Sequence, residues 1–99
     1  MEIEFEDPDY DRLEVDLSFT LGFARHIVTM YRKRIAFIRA ARDERDFYAM
    51  HGLRFEKLHG DREGQHSMRL NDQWRLTMRL QTRDTAKIVV LISIVDYHK

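Results

Sequence analysis

Leu53-Arg-Phe-Glu-Lys-Leu-His-Gly-Asp-Arg-Glu-Gly-Gln-His-Ser-Met-Arg-Leu-Asn-Asp-Gln-Trp-Arg-Leu-Thr-Met-Arg-Leu80 is the stretch around which the chain is organised. Two strands are readable in it. From Gln65, the residues His66, Met68 and Leu70 fall on one face and Gln65, Ser67 and Arg69 on the other. From Gln73 the alternation resumes, with Trp74, Leu76, Met78 and Leu80 set against Gln73, Arg75, Thr77 and Arg79. A period of two marks a half-buried strand. Asn71-Asp72 lies between the two runs, and both residue types tolerate the positive φ of a tight hairpin. The stretch therefore reads as a hairpin with one apolar face. Its other face carries Arg69, Arg75 and Arg79, which a core does not need.

Working outward, Arg54–Leu58 is a short strand ahead of the polar turn His59-Gly60-Asp61-Arg62-Glu63-Gly64. Gln81–Thr85 reads as a polar exit loop after the hairpin. Lys87–Val95 is β-branched or leucine almost throughout, the pattern of a central strand covered on both sides. Upstream, Phe23–Arg42 repeats apolar residues at Phe23, Ile27, Tyr31, Ile35 and Ile38, which makes one face of a helix. Asp43 reads as an N-cap for a second short helix over residues 44–50, with Asp46 completing an imperfect capping box and Gly52 following its end. The tight join suggests that these two helices form an antiparallel pair. Met1–Glu6 alternates as a strand that Asp7-Pro8 ends. Residues 9–21 mix helical and other spacings and read as a loop with a turn or two of helix. The main elements run β-α-α-β-β-β, an α+β domain with a small, mostly antiparallel sheet and two helices packed on one face.

Ninety-nine residues make one domain, able to bury roughly 60–70% of its unfolded surface. Without cysteine there is no disulfide framework and no thiolate metal site. The longest apolar run is Ile88–Ile92, far below the ~18 residues of a membrane span. The acidic N-terminus is unlike a signal peptide, so the expected location is the cytoplasm. The net charge of zero hides an asymmetry. Residues 1–16 hold eight acids and one base, Arg12, and the remaining residues carry the balancing positive excess. A basic body attracts polyanions, nucleic acid above all, although mixed charge is also ordinary surface.

Asp96-Tyr97-His98 follows the strand over residues 87–95 directly. An acceptor, a phenol and an imidazole at a strand's end suit a site, and equally suit a frayed terminus. Arg75 has the planar fork that grips phosphate, against the alternative of an exposed strand arginine. His66 shares a face with Met68 and reads as a packed histidine. The histidines lack a paired spacing, so zinc is not expected. The turn over residues 60–64 is not a phosphate loop, since no Gly-Lys-Ser/Thr follows.

Glu56-Lys57-Leu58-His59-Gly60-Asp61-Arg62-Glu63-Gly64-Gln65, then Asn71-Asp72-Gln73-Trp74-Arg75-Leu76, then Val95-Asp96-Tyr97-His98 resembles the HigB toxins of the RelE/ParE superfamily of bacterial toxin–antitoxin modules. The resemblance spans residues 53–98 and implies a RelE-like fold. It implies a ribosome-dependent endoribonuclease that cuts translated mRNA, without metal or cofactor, by attack of the ribose 2′-oxygen on phosphorus. It places Arg75 on the scissile phosphate and proton transfer and base stacking on Asp96, Tyr97 and His98. The chain departs from the family where a histidine precedes the Gly-Asp-Arg turn, here Glu56, and where a lysine precedes the glycine, here His59. Either Glu56 or His59 then serves as base. Arg32, Lys33, Arg34 and Arg39 of the long helix, with Lys57 and Arg62, are the candidate ribosome- and RNA-binding cations. The implied partner is a HigA-like helix-turn-helix antitoxin, through which alone operator DNA would be bound. ParE-type relatives poison gyrase without hydrolysis, so a gyrase poison and a non-catalytic RNA-binding module are the alternatives.

Overall fold

The computed structural model describes residues 1–97; His98 and Lys99, and with them the expected role of His98, lie outside the described residues. Among the described residues five strands form one sheet: β1 (Glu2–Phe5), β2 (Glu56–Lys57), β3 (His66–Arg69), β4 (Trp74–Arg83) and β5 (Ala86–Asp96), in the order β1-β5-β4-β3-β2. Only β1 runs parallel to its neighbour, pairing Ile3 with Val89 and Phe5 with Leu91; β2–β3, β3–β4 and β4–β5 are antiparallel. Three helices, α1 (Pro8–Val15), α2 (Arg25–Ala40) and α3 (Arg45–Ala49), cover one face. The small α+β sheet with helices on one side is therefore as expected.

The alternation read from the hairpin holds. Met68, Leu76 and Met78 are fully buried against Leu13, Ile27, Tyr31, Ile35 and Ile38 of the helices. The helical face of α2 is likewise the one its spacing predicts. At the start of α3, the Asp43 carboxylate accepts from the Arg45 N–H at 2.9 Å and Asp46 reaches back to the Arg42 N–H at 2.9 Å. That is the reciprocal bonding of a capping box, displaced by one residue.

Several expectations are corrected. The stretch over residues 9–21, read as a loop with a turn or two of helix, carries a regular eight-residue helix over Pro8–Val15 that starts one residue earlier. Asp7 accepts from the Asp9 N–H at 2.9 Å, Pro8 occupies the first turn, and Asp9 and Asp11 lie where a helix dipole favours acids. The same Asp-Pro that ends β1 therefore starts α1. Helix α2 makes its main helix–helix contact with α1, while α3 joins the core through Phe47, whose ring lies 6.0 Å from Phe37 and 5.1 Å from Phe55. Gln81–Arg83 is strand rather than loop, paired with residues 86–88, and the turn narrows to Asp84-Thr85 with Asp84 at φ 57. Those residues are exposed on both faces, and backbone pairing holds them extended, with the Arg83–Glu4 ion pair beside it. The β3–β4 turn does not use positive φ at Asn71 or Asp72. Instead the Asn71 side chain accepts from the N–H groups of Gln73 and Trp74, at 2.9 and 2.7 Å. On the second face of β5, away from the helices, Val90 and Val95 stay half-buried, although Ile88 is buried. Among the described residues, no helix is long and apolar enough to cross a membrane.

Two features aim the end of β5. Between Thr77/Ser93 and Met78/Leu91 the register shifts, leaving Ile92 as a bulge. A bulge sharpens local twist and redirects the residues beyond it. Near it the Tyr10 hydroxyl accepts from the Ile94 N–H at 3.0 Å, and Tyr31 donates to the Tyr10 carbonyl at 2.7 Å. Helices α1 and α2 thereby lock the strand that leads to Tyr97.

Candidate functional site on the open face of the sheet

Strand pairing assembles the site. Glu56 lies opposite Ser67, Arg69 opposite Arg75, and Arg75 opposite Val95. By alternation these residues share the face away from the helices, and Tyr97 continues it, its N–H donating to the Gln73 carbonyl at 2.7 Å. The sequence supplies the alternation, and the pairing brings three distant segments together.

Arg75 is the centre. It is only 6% exposed, so it is not the exposed strand arginine that its polar neighbours would allow. Its Nε donates to Ser67 Oγ at 2.8 Å, and Nη2 donates to the Arg54 carbonyl. Glu56 places a carboxylate oxygen 3.6 Å from Nη2. The guanidinium carbon lies 5.1 Å from the centre of the Tyr97 ring, within cation–π range. Burial pushes the Arg75 guanidinium below its ordinary pKa and the Glu56 carboxylate opposes that shift. With no neutralising step available to arginine in proteins, the site keeps a fixed cation in a poorly hydrated position.

Above it opens a cleft of about 640 Å³. Arg54, Arg69 and Arg75 line it with three guanidinium groups, Glu56 and Asp72 with two carboxylates, and Tyr97 with a half-exposed ring. Such a set can hold an anion, hold a flat base against the ring, and move a proton through a carboxylate beside the anion.

The other expected site residues lie elsewhere. Asp96 is opposite Trp74, hence on the other face from Val95, and its carboxylate accepts from Gln73 Nε2 at 3.0 Å. His59 lines a separate hollow with Lys57, Glu63 and His66. Lys57 lies opposite His66, on the face away from Arg75, and Arg62 is exposed in a 3₁₀ turn over Gly60–Arg62. On α2, Arg32 donates to the carbonyls of Leu13 and Asp16 at 3.0 Å each, Arg34 to the Arg69 carbonyl at 3.0 Å, and Arg39 grips Glu14 at 2.7 and 2.8 Å. Lys33 stands exposed. The sequence pattern did not single out Arg54, Ser67 or Asp72. Arg69 carried a signal, being two residues from the turn on the same polar face as Arg75. Arg54 carried none, because its place depends on a left-handed backbone at φ 46, ψ 49.

No family model matches the chain, and no curated protein does. Solved structures do match. A YoeB/ParE toxin from Agrobacterium tumefaciens superposes with a TM-score of 0.61 at 17% identity, covering 99% of this chain and 100% of that one. A YoeB–YefM complex from Staphylococcus aureus gives 0.53 at 20%, covering 100% and 98%. A YafQ mutant from E. coli gives 0.53 at 11%, covering 97% and 92%. At these identities the likeness is one of fold, and over its whole length this chain has the fold of the YoeB/ParE and YafQ structures.

Proposed function

We propose that the protein is the toxin of a type II toxin–antitoxin system, a ribosome-dependent endoribonuclease of the HigB kind acting on translated mRNA in the cytoplasm. The observation that carries the reading is the buried Arg75 with the Glu56 carboxylate 3.6 Å away and the Tyr97 ring against it. The fold likeness to a YoeB/ParE toxin and the HigB resemblance of residues 53–98 support it.

The proposed reaction needs a base, a phosphate clamp and an acid. Glu56 takes the proton of the ribose 2′-OH, and the 2′-oxygen attacks phosphorus. Arg75 holds the phosphoryl oxygens as negative charge builds on them. The P–O5′ bond breaks, and His98, the residue after Tyr97, protonates the departing 5′-oxygen. The products are a 2′,3′-cyclic phosphate and a 5′-hydroxyl. Tyr97 stacks a base and so orients the strand. Its place on the open face supports Glu56 over His59 as the proton acceptor. Asp96, bonded to Gln73, holds the end of β5 rather than meeting substrate.

A few site residues on a small protein orient a flexible strand poorly, so naked RNA should be cut slowly and ribosome-bound message fast. A partner antitoxin, HigA-like and DNA-binding, is proposed by the same resemblance, and the YoeB–YefM complex supports pairing of this fold with a second protein. In vitro translation followed by primer extension tests the reading. Codon-phased cuts bearing cyclic-phosphate ends support it. Gyrase-linked DNA breaks, RNA binding without cleavage, or equal cutting of naked RNA overturn it.

A further inference from the structure

We propose that Arg54 and Arg69 form a second phosphate-binding position beside Arg75, so that the cleft grips two successive phosphodiesters of one single RNA strand, with Asp72 as the resting counterion of that position. The inference rests on the reading of the cleft as an RNA site and adds the length of backbone that it recognises.

Arg69 and Arg75 lie directly opposite one another on β3 and β4. Like charges placed so destabilise a strand pair, and this pair has both side chains on the cleft. A third cation joins them at a cost. Arg54 adopts φ 46, ψ 49, a left-handed conformation that glycine takes freely and other residues do not. That conformation turns the Arg54 carbonyl to the Arg75 guanidinium, and Arg54 lines the cleft with its positive charge near enough to act on Arg75. Repulsion and strain collected in one place are the mark of a site that an external anion completes.

Once the exposed Asp72 is displaced, one phosphate cannot satisfy the set, because three guanidinium groups then face the Glu56 carboxylate alone. At rest they face two carboxylates, and each carboxylate sits on its own arginine: Glu56 on Arg75 and Asp72 on Arg69. The Asp72 side chain is fully exposed, so its ion pair is weak and replaceable. Cross-strand neighbours start about 5 Å apart at Cβ, and long side chains can widen that to adjacent phosphates. A phosphate on Arg75 and a second between Arg54 and Arg69 match every cation. The ligand class is therefore an oligonucleotide with two linkages or more, not a mononucleotide.

The test uses two uncleavable probes of 2′-O-methyl RNA: a trinucleotide with two internal phosphodiesters and a dinucleotide with one. Binding of each to the full chain is followed by NMR titration across a salt series. Wild type should prefer the trinucleotide by tenfold or more. Arg54→Gly, which suits the positive φ, and Arg69→Gln should each erase that preference. Each should also lower the salt slope by about 0.7, the share of one single-strand phosphate. Asp72→Asn should tighten the trinucleotide and leave the dinucleotide unchanged. Thermal melts establish that the variants fold, and Arg54→Lys or Arg69→Lys, by keeping the charge, should restore most of the preference. The proposal is overturned if wild type binds both probes alike or neither, or if Arg54→Gly and Arg69→Gln keep the preference. A preserved preference for two linkages without codon-phased cleavage would sink the nuclease reading alone; cleavage with no such preference would sink this one alone.

Discussion

Burial leaves the Arg75 guanidinium held by Ser67 Oγ and the Arg54 carbonyl, with Glu56 as its neighbouring charge. A lysine there would keep the charge and lose the planar fork. Arg75→Lys should cut mRNA cleavage by about 10²–10³, the usual effect of losing one donor to a transition-state anion, with a native circular dichroism spectrum. Glu56→Gln should lose about 10²–10⁴, the range of general base catalysis, while ribosome association persists. His59→Gln, in its separate hollow, should stay within a few-fold of wild type. The opposite ranking in a translation assay would move the base to His59. His66 carries a different prediction. Its ring stacks on Phe55 at 5.0 Å and 8°, and among the described residues its Nδ1 finds no hydrogen-bond partner. Burial, aided by Lys57, holds its pKa below the ordinary 6.5. The unfolded chain thus takes up this proton at higher pH than the native one does. Stability is complete above pH 6.5 and is lost as pH falls toward the depressed native value. Melting temperature should drop between pH 7.5 and 5, and drop less in His66→Gln; equal drops would remove His66 as the cause.

At the scale of elements, α1 shows how a local signal can carry two meanings. Asp7-Pro8 stops β1 and also caps and starts α1. The cations of α2 are readable as a docking face, yet two of them, Arg32 and Arg39, bind α1. Arg32 donates to two carbonyls at the C-terminal end of α1, those of Leu13 and Asp16, the second of which also accepts from the Phe19 N–H. Arg32→Ala should destabilise the protein by about 1.5–3 kcal/mol, the worth of hydrogen bonds to a charged group. Arg39 and Glu14 form a partly exposed pair, and Arg39→Ala should cost no more than about 1 kcal/mol. Urea unfolding of both variants measures the contrast, and equal losses would mean that Arg32 does not hold α1. Helix α2, strand β3 and the part of β4 over residues 74–80 are legible in the sequence because one face of each meets the core. Where both faces meet solvent, as at Gln81–Arg83, the period of two disappears while the backbone ladder continues.

Over the whole molecule, the acidic first segment is partly spent on the basic body, through Glu4 with Arg83 and Glu14 with Arg39. Arg54, Arg69 and Arg75 gather at the cleft, while Lys33, Lys57 and Arg62 stand exposed elsewhere. If the protein meets the ribosome through three or four phosphate contacts, raising salt from 50 to 200 mM should weaken association about tenfold or more. Co-sedimentation with ribosomes reads this directly. Salt-insensitive association would point to apolar docking in place of the charged contact.

Alternation and helical spacing are properties of neighbours in the chain, and by themselves they determined the α+β class, the hairpin, the apolar face of α2 and the polar face that bears Arg69 and Arg75. They cannot state which strand lies beside which, because pairing joins residues far apart: β1 beside β5, or Glu56 beside Ser67. The burial of Arg75, the left-handed turn that brings Arg54 to it and the separation of His59 from the cleft were decided only by the tertiary structure. Each depends on what covers a side chain, and the cover comes from segments that sequence order does not place.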